Sequence, residues 1–186
     1  MNVFITSDLH LNHDKDFVYA ARGFSSIKEH DDAVIANWNS IVGKEDIVYV
    51  LGDLAMGTDL DEIISKISML NGTIYIIIGN HDTNNKCNAY LKCPNVKSCK
   101  HADIIKSGKW SILISHRPTI MTGDVLANTK FTHNICAHGH THSNDQFEYI
   151  NYACYNVALD AHDNKPVNVE DMKKDIIQKI QEMKKV

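Results

Sequence analysis

The sequence predicts an α/β fold built on a parallel sheet, because strand-like and helix-like segments alternate along its first half. Three short apolar runs rich in β-branched residues occupy residues 3–6, 46–51 and 73–78. Two segments with apolar residues at helical spacing, residues 25–38 and 59–70, lie between them. This order favours parallel strands joined by right-handed crossovers. The carboxyl ends of such strands meet at one edge of the sheet, where open α/β sheets place their ligands.

Both predicted helices carry recognisable end signals. Ser25 or Ser26 can cap the first helix, because a serine side chain accepts a hydrogen bond from a free amide in the first turn. The second helix ends before Asn71-Gly72, a pair that stops helices by adopting left-handed backbone. These signals set the predicted helix boundaries.

The second half of the chain is less regular. Residues 83–100 are polar, and their pattern assigns no helix or strand. Strands are predicted at residues 103–106, 110–115 and 134–137, with one or two more within residues 149–157. The turn Ser107-Gly108-Lys109 predicts a hairpin between the first two. Asn168 can cap a final helix that runs to Lys185, and because we see no linker or repeat we expect one domain over residues 1–186.

Composition narrows the class of protein. The net charge is −4 and no basic block occurs, which disfavours a strong nucleic-acid-binding patch but leaves a nucleotide substrate open. No signal-peptide pattern and no membrane-length apolar stretch occur. Five cysteines without a disulfide pattern favour a cytoplasmic protein with reduced thiols. Cys87, Cys93 and Cys99 could form a small zinc site, but ordinary thiols are favoured because the spacing does not match the tight Cys-x2–4-Cys pattern of such sites.

Side chains that commonly bind metals follow the predicted strands. They are Asp8, His10, Asp53, Asn80, His116, His140 and His142. Asp8 and His10 are two apart, as are His140 and His142, and residues two apart in extended chain share a face. Each motif alone also fits an ordinary loop. Their joint occurrence in five places, each after a strand, favours a metal centre.

Seven oxygen and nitrogen donors exceed the needs of one ion and suit two, with Asp53 as the natural bridge. Carboxylate, amide and imidazole donors favour Mn²⁺, with Fe, Zn²⁺, Ni²⁺ and Co²⁺ as alternatives, over Ca²⁺ or copper. Two cations about 3.5–4 Å apart can hold a phosphoryl group and activate a shared water molecule. His81, beside Asn80, can then stabilise developing charge or protonate the leaving oxygen.

The motifs together resemble those of the calcineurin-like metallophosphoesterase superfamily, in its compact, uncapped bacterial and phage branch. They are Asp8-x-His10, Gly52-Asp53, Gly79-Asn80-His81-Asp82, His116 and Gly139-His140-Thr141-His142, and they extend over residues 8–142. The resemblance implies a four-layer α/β-sandwich in which two mixed sheets are flanked by helices. It also implies two metal ions at the sheet edge.

The resemblance assigns roles by position. One ion would be held by Asp8, His10, Asp53 and His142, and the other by Asp53, Asn80, His116 and His140. The catalytic set would comprise His81 as phosphate contact and proton donor, Asp82 as the residue that orients it, and the bridging Asp53. Asn80 and His81 would also contact substrate.

Two further substrate contacts are hypotheses with ordinary alternatives. His13 either reaches the substrate phosphate or is a simple loop histidine. Arg117 either meets an anionic group or is a surface charge. We predict both as substrate-binding residues.

The resulting functional hypothesis is a hydrolase in which a metal-bridging hydroxide attacks a small phosphate ester, with a nucleotide as one candidate. A phosphodiesterase is favoured because small uncapped members resemble diesterases and an open site accepts two substituents. A phosphomonoesterase, a nucleotide pyrophosphatase and an inactive metal-binding scaffold are the alternatives. A protein phosphatase is disfavoured, since the Asp-Arg-Gly segment is missing after Asp53. Monomer and homodimer both stay open.

Overall fold

Two mixed β-sheets form the centre of the protein in the computed structural model, which describes residues 1–119, 133–150 and 153–185. The first sheet contains β1 (Val3–Thr6), β2 (Ile47–Val50), β3 (Thr73–Ile77), β4 (Val96–Lys100) and β9 (Val167–Asn168), in the order β4-β3-β2-β1-β9. Strands β1 to β4 are parallel, and β9 pairs antiparallel with β1. The predicted parallel order of the first three strands is confirmed.

The second sheet contains β5 (Ala102–Ser107), β6 (Trp110–Ser115), β7 (His133–His138) and β8 (Cys154–Asn156), in the order β5-β6-β7-β8. Strands β5 and β6 form the predicted antiparallel hairpin around Gly108. Strands β6, β7 and β8 are parallel. Their carboxyl ends therefore share one edge of this sheet.

Helices flank the sheets, as predicted for the α/β class. They are α1 (Asp16–Tyr19), α2 (Ile27–Ile41), α3 (Leu60–Ser68), α4 (Asn84–Tyr90) and α5 (Val169–Met183), with a short 3₁₀ helix at Leu159–Ala161. Four of these helices begin with a side-chain cap, and Thr83 provides the one of α4. Ser26 accepts from the amide of Glu29, Asp59 from two amides of α3, and Asn168 from the first turn of α5. Within the described ranges, no helix is long and apolar enough to cross a lipid bilayer.

Two apolar cores lie on opposite faces of the first sheet. Phe4 of β1 packs with Trp38 of α2 and Ile67 of α3 in the first core. The next residue, Ile5, contacts the second core, which includes Ile112 of β6 and the apolar face of α5. Both faces of the sheet are therefore covered, which explains why its strands read as continuous apolar runs instead of alternating ones.

Residues 83–100 have no element assigned from the sequence, yet this polar stretch contains both α4 and β4. Thr83 caps α4 by accepting from the amide of Lys86, and only one side of this short helix is buried. Strand β4 lies at the sheet edge, where exposed side chains are tolerated. In the late region one strand, β8, is described, while residues 151 and 152 lie outside the described residues.

Candidate metal centre

The candidate centre lies where the loops after β1, β2, β3, β6 and β7 meet. Backbone hydrogen bonds join these loops directly: the amide of Asp8 donates to Gly52 O at 3.0 Å, and that of His10 donates to Asp53 O at 3.0 Å. The amide of Gly139 likewise donates to His116 O at 3.0 Å. The seven predicted donor residues are thus brought to one edge by the strands and held there by main-chain bonds.

The first donor group is formed by Asp8, His10 and His142. Nε2 of His10 lies 3.2 Å from Nε2 of His142 and 3.8 Å from Oδ1 of Asp8. Nε2 of His142 lies 3.7 Å from the same carboxylate oxygen. Asp8 and His10 are buried, whereas the side chain of His142 is 42% exposed, so the group opens to solvent on one side.

The second donor group is formed around His116. Its Nε2 lies 2.9 Å from Oδ1 of Asn80, 3.2 Å from Nδ1 of His140 and 3.5 Å from Oδ2 of Asp53. That oxygen of Asp53 is also 4.0 Å from Nε2 of His10. Asp53 therefore lies between the two groups.

The two carboxylates have one oxygen engaged and one directed at the donors. Oδ2 of Asp8 accepts from the amide of His140 at 2.9 Å, and Oδ1 of Asp53 accepts from the amide of His81 at 2.8 Å. Oδ1 of Asp8 is buried without a hydrogen-bond partner among the described residues. A buried carboxylate oxygen is unfavourable unless it is paired or coordinates a cation. The donor set therefore fits divalent ions that accept oxygen and nitrogen ligands.

Backbone strain is concentrated at these same residues. Five of the seven have positive φ: Asp8 (58°), His10 (51°), Asp53 (52°), His140 (70°) and His142 (51°). A left-handed residue other than glycine costs on the order of 1–3 kcal/mol and persists only where the surroundings impose it. These backbone conformations are therefore imposed by the packing of the loops around the donor groups, and not by the conformational preferences of the residues themselves.

Two glycines allow the loops to approach so closely. A Cβ at Gly79 would overlap the carboxylate of Asp53, and one at Gly139 would overlap the side chains of Ser7 and Asp8. Any larger residue at either position would displace a carboxylate of the donor set. This is the physical reason for glycine in the Gly79-Asn80 and Gly139-His140 motifs.

Hydrogen bonds at the outer ring nitrogens orient two histidines. Nδ1 of His116 donates to Leu51 O at 2.7 Å, which leaves Nε2 with its lone pair toward the site. Nδ1 of His142 donates to Oδ2 of Asp160 at 3.0 Å, with the same consequence. The bond to Asp160 raises the pKa of His142.

A buried ion pair that sequence reasoning missed supports the first donor group. Arg22 binds the carboxylate of Asp160 through Nε at 3.0 Å and Nη2 at 2.9 Å. It also donates to the main-chain oxygens of Asp8 at 2.7 Å and Leu9 at 3.2 Å. Although burial opposes it, hydrogen bonds from His142 and Arg22 hold the pKa of Asp160 well below its ordinary value. The rarity of arginine, two residues in this chain, was the available signal.

The carboxylate of Asp82 contacts the loops, not the ring of His81 that sequence reasoning expects it to orient. It accepts from the amides of Asp53 (2.8 Å) and Gly79 (2.9 Å) and from the hydroxyl of Tyr90 (2.9 Å). Among the described hydrogen bonds none joins it to the imidazole. Asp82 is therefore a positioning residue, because its bonds fix the bridging loop.

Helix α4 supplies a second brace, Lys86. This buried lysine donates to Ala55 O at 2.8 Å and His81 O at 3.0 Å, and so ties the loops after β2 and β3 together. Burial lowers its pKa. Neither Lys86 nor Tyr90 could be assigned from sequence, because the helix that carries them was not predicted.

The other predicted site residues lie at the rim. Nε2 of His81 is 4.0 Å from Oδ2 of Asp53, and its side chain is 43% exposed. Nδ1 of His13 is 3.0 Å from Nδ1 of His10, and burial together with neighbouring imidazoles lowers the pKa of His13 to about 4. The exposed Arg117 donates to Nε2 of His140 at 2.7 Å.

Two clefts adjoin the donors. The larger, about 580 Å³, touches His10 and His142 of the first group together with His81. The smaller, about 340 Å³, touches Asn80 and His116 of the second group together with Arg117. Each donor group therefore opens to its own cleft.

The fold and donors define an α/β protein with a candidate centre for divalent ions. Two proteins are similar to it in sequence and a third is similar in structure. It is 32% identical over 200 aligned positions to the gene 66 protein of Mycobacterium phage D29, covering 94% of this chain and 97% of that protein. It is 30% identical over 176 positions to an uncharacterized protein of Methanocaldococcus jannaschii, covering 90% and 87%. A protein of unknown function from Aquifex aeolicus shares the fold, with a TM-score of 0.70 and 21% identity over 93% and 98% of the two chains.

The family model for calcineurin-like phosphoesterases matches residues 1–144. The chain belongs to the calcineurin-like phosphoesterase family. The predicted family and the α/β class with two mixed sheets and flanking helices are confirmed. The family is that of metal-dependent phosphate-ester hydrolases, and two groups of side chains here could hold metal ions.

Proposed function

We propose that this protein is a phosphodiesterase that uses two divalent metal ions, with Mn²⁺ as the first candidate. The observation that carries the proposal is the pair of adjoining donor groups, which have Asp53 between them and each open to a separate cleft. One ion would be held by Asp8, His10, Asp53 and His142. The other would be held by Asp53, Asn80, His116 and His140. When bound, such ions supply positive charge for the phosphoryl oxygens and acidify water.

The residues of the chain have separate tasks in this proposal. Oδ2 of Asp53 contributes to both groups, because it lies 3.5 Å from His116 Nε2 and 4.0 Å from His10 Nε2. His81 stands at the rim with its imidazole half-exposed, where it can hydrogen-bond the phosphate and deliver a proton to the departing oxygen. Asn80 offers its amide to the same phosphate.

Arg117 is assigned to substrate binding by a hydrogen-bonding argument. Nε2 of His140 accepts from Arg117, so its Nδ1 must carry the proton in that state. Presenting the Nδ1 lone pair to a cation requires the opposite tautomer, which cannot accept from Arg117. The exposed guanidinium would then be free beside the smaller cleft, where it could bind a phosphate oxygen.

The two clefts favour a diester over a monoester, because a diester carries two substituents and each cleft can receive one. His13 lines the larger cleft and can contact the substrate there. A phosphomonoesterase would leave one cleft without a substituent. A nucleotide pyrophosphatase would place substrate groups in both clefts and is the second candidate. It is favoured because Arg117, once free of His140, could bind a second phosphate.

Hydrolysis assays on metal-stripped protein resupplied with Mn²⁺ test the proposal. We expect faster turnover of bis(p-nitrophenyl) phosphate than of p-nitrophenyl phosphate. Faster turnover of the monoester would indicate a phosphomonoesterase instead of a phosphodiesterase. Absence of turnover of diester, monoester and anhydride, with two ions bound, would refute the hydrolase and favour the scaffold.

His81→Ala tests the proton donor. General acid catalysis contributes about 10²–10⁴-fold, and more for a poorer leaving group. We therefore expect a larger loss with a phenyl ester than with a p-nitrophenyl ester. His133→Ala is the matched control, since His133 stacks on Trp110 at the opposite end of β7. An equal loss of activity with both esters would show that His81 is not the proton donor and would favour a role in stabilising charge.

A further inference from the structure

The wall of the larger cleft has a feature that the phosphodiesterase proposal does not use, a solvent-facing aromatic ring. Helix α1 places Val18 inward and Phe17 outward, so that Phe17 is 70% exposed at the cleft mouth. The rings of Phe17 and His13 meet edge to face, with centroids 5.8 Å apart. His13 in turn lies 6.3 Å from His81, ring to ring. A row of rings thus connects the cleft mouth to the proposed proton donor.

The charged groups that line this cleft are already satisfied. Arg22 uses all five of its N–H donors: two for Asp160, two for the carbonyls of Asp8 and Leu9, and one for His30. The carboxylate of Asp160 is neutralised by Arg22 and also contacts His142. Among the described residues that line the cleft, Arg22 is the one guanidinium or ammonium group, and it has no donor left for a second anion.

An aromatic wall without an available cation favours an uncharged, flat substituent. The face of a phenyl ring gains most from a planar partner at stacking distance, and this gain exceeds that from apolar area alone. A second phosphate would find no unpaired donor on Arg22. The smaller cleft differs, since the exposed Arg117 lies there.

We propose that the larger cleft is a subsite for a neutral, planar ring on the substrate, which stacks on Phe17. The assignment rests on the proposed phosphodiesterase function and narrows its substrate class. The shared chemistry is a phosphate ester whose alcohol carries a flat ring, either a small aryl alcohol or a nucleoside. Phe17 is then a specificity-determining residue.

Calorimetric titration of the Mn²⁺-loaded protein with non-hydrolysable phosphonates tests the subsite without turnover. Benzylphosphonate carries a planar ring, cyclohexylmethylphosphonate a saturated ring of similar size, and methylphosphonate none. We expect benzylphosphonate to bind about three- to tenfold more tightly than the saturated analogue. The 5′-phosphonate analogue of adenosine 5′-monophosphate against that of ribose 5-phosphate provides the nucleoside arm. Ring preference in both arms indicates a nucleoside subsite, and preference in the benzyl arm alone indicates an aryl subsite.

Phe17→Ala should abolish the ring preference and leave methylphosphonate binding unchanged within about twofold. Phe17→Leu keeps an apolar side chain without a flat face and should also lose the preference. Met69→Ala, an exposed apolar residue at the end of α3, is the matched control and should change nothing. Equal binding of the two ring phosphonates by the wild type, undetectable binding of benzylphosphonate, or an equal loss for methylphosphonate in Phe17→Ala would each overturn the subsite.

The subsite and the phosphodiesterase proposal fail in different ways. Turnover of bis(p-nitrophenyl) phosphate without ring preference in the titrations removes the subsite alone. Ring preference lost in Phe17→Ala, in a protein that hydrolyses no diester, removes the phosphodiesterase and leaves the subsite.

Discussion

Replacing Asp160 by asparagine should both destabilise the protein and weaken metal binding at the first donor group. The carboxylate accepts three bonds with charge assistance: two from Arg22, at 3.0 and 2.9 Å, and one from Nδ1 of His142 at 3.0 Å. The side chain of Arg22 is 2% exposed. Asparagine keeps the shape but replaces one carboxylate oxygen by an N–H₂ group. At least one N–H donor of Arg22 or His142 then faces another donor instead of an acceptor.

The expected magnitude follows from the burial of the pair. Removing one partner of a buried ion pair costs about 3–5 kcal/mol, because the other charge stays uncompensated. Since Asp160 is 11% exposed and asparagine retains one acceptor, we expect the lower end, about 3 kcal/mol. For a chain of this length that corresponds to a fall in Tm of about 6–12 °C. Loss of a carboxylate that orients a ligating histidine typically lowers metal affinity about 10–100-fold.

The pH dependence has a defined sign in the metal-free protein. The pKa of Asp160 is depressed in the folded protein. Its contribution to the free energy of unfolding is therefore present above its ordinary pKa of 3.8 and is lost as the pH falls. The pKa of His142 is raised, so its contribution is full below 6.5 and is lost as the pH rises through its folded value. The difference in Tm between wild type and Asp160→Asn should therefore be largest between these two values.

Thermal unfolding of the metal-free proteins and calorimetric Mn²⁺ titration measure the two effects separately. Asp163→Asn, an exposed neighbour, is the matched control. We expect Asp160→Asn to lower the affinity for one of the two Mn²⁺ ions selectively. A Tm within 2 °C of the wild type, roughly the shift from less than 1 kcal/mol, together with unchanged Mn²⁺ affinity would refute the reasoning.

Three further substitutions test the loop framework. Tyr90→Phe removes the hydrogen bond to Asp82 and should lower the unfolding free energy by about 1 kcal/mol, measured by urea titration. Gly79→Ala places a Cβ on the Asp53 carboxylate, so Mn²⁺ affinity measured by calorimetry should fall; unchanged affinity would show that the loop yields. Lys86→Met leaves two loop carbonyls without their donor and should cost about 1–3 kcal/mol in the same urea assay, whereas an unaltered midpoint would show that water replaces the ammonium.

Local sequence patterns are sufficient to predict the strands of the first sheet and the residues of the donor set. Strands β1 to β3 could be predicted because both of their faces are buried, which makes apolar runs. Asn168 and Ser26 could be predicted as caps because capping depends on residues three positions apart at most. Asp53 and His116 could be singled out because each directly follows such a run.

The contacts that hold the donors in place depend on how distant parts of the chain pack together. Helix α4, with Tyr90 and Lys86, gives no apolar periodicity, because a polar helix of seven residues forms only when the surrounding loops bury one side of it. The Arg22–Asp160 pair joins residues 138 positions apart, and neither belongs to a local motif. Local sequence patterns report which face of an element is apolar. They do not report which buried charges meet, because that depends on the packing of distant loops.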